Sequence, residues 1–370
     1  MLKNLKKPLT LSFIGGGINS SIGNIHYIAS KLDSNFQVVS GFFSRNIKDN
    51  TKSAKKYNVD KKRLYNDLNS LLNKEINKVD FFVVLTPTPN HYNVLRELIL
   101  MNANIIIEKP ILSNLNEIQK IKKILKNYNN KIYVIHNYIG YPAIREIEKI
   151  IKNNNLGKLL HFNLQMTQES FLRNQLSNQK VKNWRKVDHS IPNLFLDLGV
   201  HLFNLSVFLI KKNPTSILSN VSKINNLVSD AKILLKYNNN ISGIFWFSKT
   251  CLGNRNNLAI ELYFEKCSIM WRHDNFEVII LNYSNGVIKK IDRSIKSNTF
   301  DQSRYNRYRM GHPSGFIEAF SNMYEDIARD SLNIKNNYVF DHNHSFQGIK
   351  FLEYCIQSLK KDKWIKNISL

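Results

Sequence analysis

Three polar side chains stand where they could move a hydride and a proton. Lys109 lies in Glu108-Lys109-Pro110, which closes the apolar run Asn104–Glu108. Asp197 and His201 open the apolar stretch Leu194–Ile210 as Asp197-Leu198-Gly199-Val200-His201. An amine held at a strand end can donate a hydrogen bond to a carbinol or take its proton. A histidine near a carboxylate titrates close to neutrality, as a general acid–base should, and i,i+4 spacing puts Asp197 and His201 on one helical face. Gly199 keeps bulk off that turn. Alone, neither pattern would be specific. A lysine before proline is normally a surface residue, and an isolated DxGxH is more often an N-capping Asp with a core histidine.

A dinucleotide would supply the redox partner. Gly15-Gly16-Gly17-Ile18-Asn19-Ser20-Ser21-Ile22-Gly23 sits between an apolar run, Leu9–Ile14, and a helical pattern, Ser21–Leu32. Glycines at such a junction let backbone approach a pyrophosphate, and the helix start offers unpaired N–H groups and a positive dipole end. Gly15, Gly17, Ile18, Asn19 and Ser20 are therefore assigned to the cofactor, although Ser20 stands where the third glycine of GxGxxG belongs. The next run ends in Gly41-Phe42-Phe43-Ser44-Arg45-Asn46. An NAD site places an acid about 20 residues past the glycines. Ser44 and Arg45 suit a 2′-phosphate instead, so the expected cofactor is NAD or NADP, with NADP slightly favoured. Thr86-Pro87-Thr88-Pro89-Asn90-His91 follows the run Asp80–Leu85. Thr86, Pro87, His91 and Glu108 then fall at carboxyl ends of strands, where open α/β sheets bind ligands.

The elements that must position these groups follow from periodicity. Up to about residue 136, short apolar runs alternate with amphipathic patterns: strands at Leu9–Ile14, Phe36–Phe43, Asp80–Leu85, Asn104–Glu108 and Ile132–Ile135, with helices between them. Strands apolar on both faces imply a parallel sheet covered by helices. After Asn137 comes a helix, Pro142–Asn153, a long strand, Lys158–Gln168, and the buried helix Leu194–Ile210. Strands then predominate from Ala231 to Ile291, separated by asparagine-rich turns, before helices return at Phe316–Arg329 and Ser345–Leu359. The predicted fold is α/β: an N-terminal Rossmann-type doubly wound parallel sheet (1–136), plus a C-terminal α+β domain (137–370) with a large open, mostly antiparallel sheet.

Composition narrows the class further. The 370 residues carry 53 Lys+Arg against 28 Asp+Glu, a net charge of +25, but the cations are spread along the chain without a nucleic-acid signature. The expected partner is a small molecule, with an anionic substrate compatible, and nucleic acid is not expected. Three scattered cysteines, Cys251, Cys267 and Cys355, argue against a disulfide framework or zinc site and for a reducing compartment. Leu194–Ile210 is short for a span and contains Asp197, His201 and Asn204, so no membrane segment is expected and the location is read as cytoplasmic.

In their order and spacing, GGGINSSIG, TPTPNH, EKP and DLGVH resemble the Gfo/Idh/MocA oxidoreductases. The resemblance extends over essentially the whole chain, including Gly311–Phe320 and the final helix and strand. It implies NAD(P)-dependent hydride transfer at a hydroxyl or carbonyl carbon of a sugar, cyclitol or nucleotide-sugar, by a homodimer or homotetramer assembled through the open sheet. Lys109 matches the lysine beside nicotinamide and substrate. Asp197 and His201 match the pair that binds the substrate hydroxyl and shuttles its proton. Trp184-Arg185 matches the family's Trp-Arg, but Ser190-Ile191-Pro192-Asn193 replaces the glycine-rich loop that follows. Asp188 and His189 read as pocket residues or a solvated loop. Asn137, Trp184 and Arg185 complete the expected cofactor set, and Tyr141 joins Lys109, Asp197 and His201 at the substrate; no metal ligand is expected. Two rivals stand: a non-catalytic NAD(P)-binding sensor or scaffold, and an enzyme using tightly held NAD(P) transiently for epimerisation or elimination on a sugar.

Overall fold

The structure, a computed structural model, describes residues 2, 5–153, 155–176, 185, 187–297, 299–312 and 314–370. In chain order the first elements are β1 (Leu9–Gly15), α1 (Gly23–Lys31), β2 (Phe36–Phe42), α2 (Ile47–Lys56), α3 (Leu68–Glu75), β3 (Phe81–Leu85), α4 (His91–Leu100), β4 (Ile105–Glu108), α5 (Leu115–Ile124) and β5 (Ile132–Ile135). The sheet order is β2-β1-β3-β4-β5, and every neighbouring pair is parallel. All five residues of β3 are buried, as expected of a strand with helices on both faces. Leu64 adds a one-residue parallel bridge to Gly41 of β2. Counting it as an outer strand, the order becomes 3-2-1-4-5-6, that of dinucleotide-binding sheets, with the topological switch between β1 and β3.

The chain continues with α6 (Pro142–Asn153), β6 (Leu159–Thr167), α7 (Ser170–Leu176), a π-helical turn at Phe195–Gly199, α8 (Val200–Ile210), β7 (Ser216–Ile224), β8 (Leu227–Lys236), β9 (Ser242–Ser248), β10 (Asn257–Phe264), β11 (Cys267–Arg272), β12 (Ile279–Tyr283), β13 (Ile288–Ile291), α9 (Phe316–Ser331), α10 (His342–Lys361) and β14 (Ile365–Lys366). Nine strands form the second sheet, in the order β13-β12-β11-β10-β6-β9-β8-β7-β14. It is antiparallel throughout except for β6 and β9, which run parallel, so the strands after β6 are not a simple meander. Alternation is clear in β9, where Phe245 and Phe247 are buried and Ile244 faces solvent.

One strand-level difference from the sequence reading has a local cause. β7 was not predicted, because SILSNVSKI mixes polar and apolar residues; its partner β8 selects Ile217 and Ser219 for burial. The β7–β8 hairpin turns on Asn225-Asn226, both at positive φ, which is the backbone of a type I′ turn. The domain boundary also differs from a single division at 136/137. The chain forms two compact units, Met1–Gly140 with Pro313–Phe346, and Tyr141–His312 with Gln347–Leu370. The later segment joins the parallel-sheet unit because α9 packs on α1 and on the turn Asn137–Gly140. A Cβ at Gly140 would lie 2.0 Å from the Ala319 carbonyl oxygen, so this approach needs glycine.

Candidate functional site

In the parallel-sheet unit, the glycine loop is shaped by contacts that reject any side chain. Gly15 and Gly16 have φ of +83° and +71°, and a Cβ on Gly15 would stand 2.8 Å from the Thr86 nitrogen. A Cβ on Gly17 would meet the Phe43 carbonyl oxygen at 2.9 Å. Tyr57, just after α2, donates to the Gly16 carbonyl at 2.7 Å, and the Ile18 N–H is taken by Ser53 Oγ at 2.9 Å. Asn19 donates to Asp49 on α2 at 2.9 Å. Ser20 explains the missing third glycine: its Oγ accepts from the Ile22 and Gly23 N–H groups and so caps the start of α1.

At the end of β2, buried Asn50 accepts from the Phe43 and Ser44 N–H groups at 2.8 and 3.3 Å. Ser44 Oγ accepts from Asn46 N–H, and Asn46 caps α2 through Asp49 N–H. Arg45 is exposed. Asn50 was not singled out in the sequence, because a helical asparagine gives no hint that it will fold back on a strand end.

The β3 and β4 ends are tied together by His91. The ring is 1% exposed, with Nδ1 at 2.8 Å from the Pro110 carbonyl and Nε2 at 2.8 Å from the Thr86 carbonyl. Both ring nitrogens of His91, expected at the cofactor, thus face backbone carbonyls, and the ring clamps two loops. Burial pushes its pKa down against the pull of those carbonyls. Thr86 Oγ1 is buried and has no partner among the described residues. Glu108 ends β4 with Oε1 2.8 Å from His26 Nε2, and Lys109 follows, joined to Pro110 by a cis peptide.

Beyond β5, Asn137 is buried in the turn Asn137–Gly140. His136 Nε2 lies 3.0 Å from Ser345 Oγ, and burial, then the charges of His344 and Lys109, hold its pKa well below the ordinary histidine value. His91, His273 and His342 shift the same way through burial. In the unfolded chain these rings take protons as pH falls through about 6.5, while the folded protein resists. Stability present above that pH should thus be lost below it, by up to about 1.4 kcal/mol per pH unit for each ring. Melting temperature is expected to be level from pH 8 to 6.5 with respect to these groups and to fall toward pH 5. His136→Gln should make that descent shallower, and an unchanged slope would refute the assignment.

In the second unit, the Pro192 carbonyl accepts from both Phe195 and Leu196 N–H, and the π-helical turn that follows carries Asp197 into α8. Such turns are frequent at functional sites. Gly199 lets Phe247 approach; a Cβ there would lie 3.1 Å from the Phe247 ring. His201 is buried on α8. Asp197 Oδ2 is held by Lys249 Nζ at 2.5 Å and approached by Arg185 at 3.4 Å. Lys249 was missed in the sequence: a lone lysine after a strand, 52 positions away, gives no local signal. Arg185, expected at the cofactor, lies 3.4 Å from Asp197 Oδ2. Trp184 lies outside the described residues. Tyr141 is buried against Trp271 and Phe276 with its hydroxyl 2.9 Å from His273 Nε2, so the polar tip expected to meet substrate is engaged within the unit. Asp188 accepts from Asn193 and Val228 N–H, which makes it a structural anchor.

The residues present fit a dinucleotide. Backbone packed too tightly for any Cβ lies at the β1–α1 turn, beside the buried, unpartnered hydroxyl of Thr86, at the switch point of the sheet. Comparison with known proteins agrees. Residues 10–136 match the model of the oxidoreductase family with an NAD-binding Rossmann fold, and residues 144–270 match the Gfo/Idh/MocA C-terminal domain. The chain belongs to the Gfo/Idh/MocA oxidoreductase family. It is an NAD-binding oxidoreductase of that type, and the family resemblance read from its motifs is borne out. An uncharacterized oxidoreductase of Bacillus subtilis, YfiI, is 24% identical over 98% of both chains. An inositol dehydrogenase homologue from Azotobacter vinelandii, complexed with NADH and myo-inositol, superposes with a TM-score of 0.87 at 21% identity, covering 98% of each chain. Levoglucosan dehydrogenase, in complex with NADH and levoglucosan, gives 0.84 at 13% identity over 98% of this chain and 100% of that one. No helix among the described residues is long and apolar enough to cross a membrane.

Proposed function

We propose that this member of the family oxidises or reduces a secondary hydroxyl or carbonyl carbon of a cyclitol or sugar. The observation that carries the reading is the presence of Lys109, Asp197 and His201 in one chain with the glycine cradle, since a sensor needs only the cradle. When bound, the nicotinamide supplies the hydride acceptor or donor. The Gly15–Gly23 loop and the start of α1 would hold the pyrophosphate, with Thr86 and Glu108 toward the nicotinamide half. His201 takes the proton of the substrate hydroxyl in the oxidative direction, Asp197 orients substrate and imidazole, and Lys109 donates a hydrogen bond to the reacting oxygen. Lys249 holds Asp197 in orientation through the ion pair. Similar structures that hold myo-inositol and levoglucosan support a polyhydroxylated ring as substrate.

Cofactor choice rests on two opposed charges. Exposed Arg45 favours a 2′-phosphate, whereas Asp49, anchored beside the glycine loop through Asn19, disfavours it. The reading is therefore a modest preference for NADPH over NADH, within about tenfold, a factor that one exposed charge can supply. Fluorescence titration with both reduced dinucleotides measures this, and Arg45→Ala should remove the preference. A panel of inositols, sugars and nucleotide-sugars followed at nicotinamide absorbance then tests the substrate class. Binding of dinucleotide without turnover on any polyol would overturn the dehydrogenase reading; co-purifying cofactor with epimerisation would replace it by transient redox chemistry.

A further inference from the structure

Glu108 lies at the more exposed end of a hydrogen-bonded line that runs inward to α9. His26 of α1 is fully buried; its Nε2 lies 2.8 Å from Glu108 Oε1 and its Nδ1 lies 2.8 Å from the Tyr324 hydroxyl, a residue 298 positions away. All three groups belong to the parallel-sheet unit. An ionised carboxylate can only accept, so the proton of a neutral His26 must sit on Nε2, and Tyr324 must then donate to the lone pair on Nδ1. Burial and the nearby Glu108 charge keep the Tyr324 proton on its oxygen by raising the phenol far above its ordinary range. The ring cannot swing away: Phe320 and Tyr324 meet it edge-on, with centroids 5.0 and 5.8 Å apart, and Phe36 packs on Tyr324 in turn. His26 engages one oxygen of Glu108, whose side chain keeps 12% exposure, and Oε2 retains its accepting capacity.

We propose that Tyr324 and His26 are positioning residues for the cofactor: they hold Glu108 in one orientation, so that its second oxygen takes a ribose hydroxyl of the nicotinamide half. The segment that returns to the parallel-sheet unit is thereby part of cofactor binding, and not only a cover for its helices. This rests on the dinucleotide reading above.

The test compares Tyr324→Phe, His26→Gln and Glu108→Gln with wild type, using NADH, NADPH and, as a ligand without the nicotinamide ribose, ADP. Tyr324→Phe removes one hydroxyl and should weaken binding of both reduced dinucleotides about fivefold, the equivalent of one hydrogen bond, while ADP affinity stays unchanged. His26→Gln, which cannot serve both partners from one rigid ring, should act in the same direction. The double variant Tyr324→Phe/Glu108→Gln should bind no more weakly than Glu108→Gln alone, because the tyrosine acts through the carboxylate. In the free protein, nitrogen-15 spectra should show His26 protonated on Nε2, with its Nδ1 resonance moved by Tyr324→Phe. Unchanged dinucleotide affinity in Tyr324→Phe, equal loss of ADP binding, or additive losses in the double variant would each overturn the proposal. Wild-type protein binding neither NADH nor NADPH would overturn it together with the functional reading, whereas the nitrogen-15 result separately tells whether the line itself exists.

Discussion

His201→Ala is expected to lower turnover by roughly 10²–10⁴-fold, the ordinary contribution of a positioned acid–base group, while NADH and NADPH affinities stay within about twofold, well inside one hydrogen bond's worth. His201 is buried on α8 in the second unit, whereas the glycine loop, Thr86 and Glu108, proposed to hold the dinucleotide, sit in the parallel-sheet unit. Loss of the imidazole should therefore remove the proposed proton acceptor while leaving the sequence and fold of the glycine loop as they are. Lys109→Ala should behave similarly in turnover, because its amine is assigned to the reacting oxygen. The measurement is steady-state turnover on whichever polyol the panel identifies, paired with fluorescence titration of the reduced cofactor. Equal losses of cofactor affinity and turnover in both variants would contradict the division of labour.

Gly23→Ala should impair function by a different route. A Cβ at Gly23 would lie 1.8 Å from the Gly16 carbonyl oxygen and 2.4 Å from its carbon, so two stretches of backbone would have to part. No flexible side chain lies between them to yield. The expected cost is about 1–3 kcal/mol of stability, at the upper end because the clash is backbone on backbone. Moving Gly16 also displaces the loop assigned to the pyrophosphate, so affinity for both dinucleotides should fall by at least about tenfold, or ~1.4 kcal/mol. Gly348→Ala is the matched control. Its nearest neighbour, a Phe203 ring carbon, would lie at an ordinary 3.4 Å, and within α10 alanine is the better helix former. That variant should melt at or above the wild-type temperature; comparable destabilisation at positions 23 and 348 would refute the packing argument.

What could be read directly were features encoded over a few neighbouring residues. Strand β5 and helix α6 occupy the residues assigned to them, because apolar runs and 3.6-residue periodicity report burial locally. The mostly antiparallel second sheet and the dinucleotide loop were legible for the same reason. Asn225-Asn226 was a hairpin signal left unread.

Tertiary structure decided the partners. TPTPNH announces a strand-end loop but cannot reveal that the His91 ring faces inward onto two carbonyls. Nothing near Asp197 points to Lys249, and nothing near Glu108 points to His26 and Tyr324. Periodicity fixes which face of an element is buried, so the sequence alone determined the sheets, their covering helices and the types of groups available for chemistry. Which polar atoms satisfy one another inside depends on how distant elements pack, because a buried donor accepts whatever partner the fold brings within about 3 Å. That choice belongs to the folded chain as a whole.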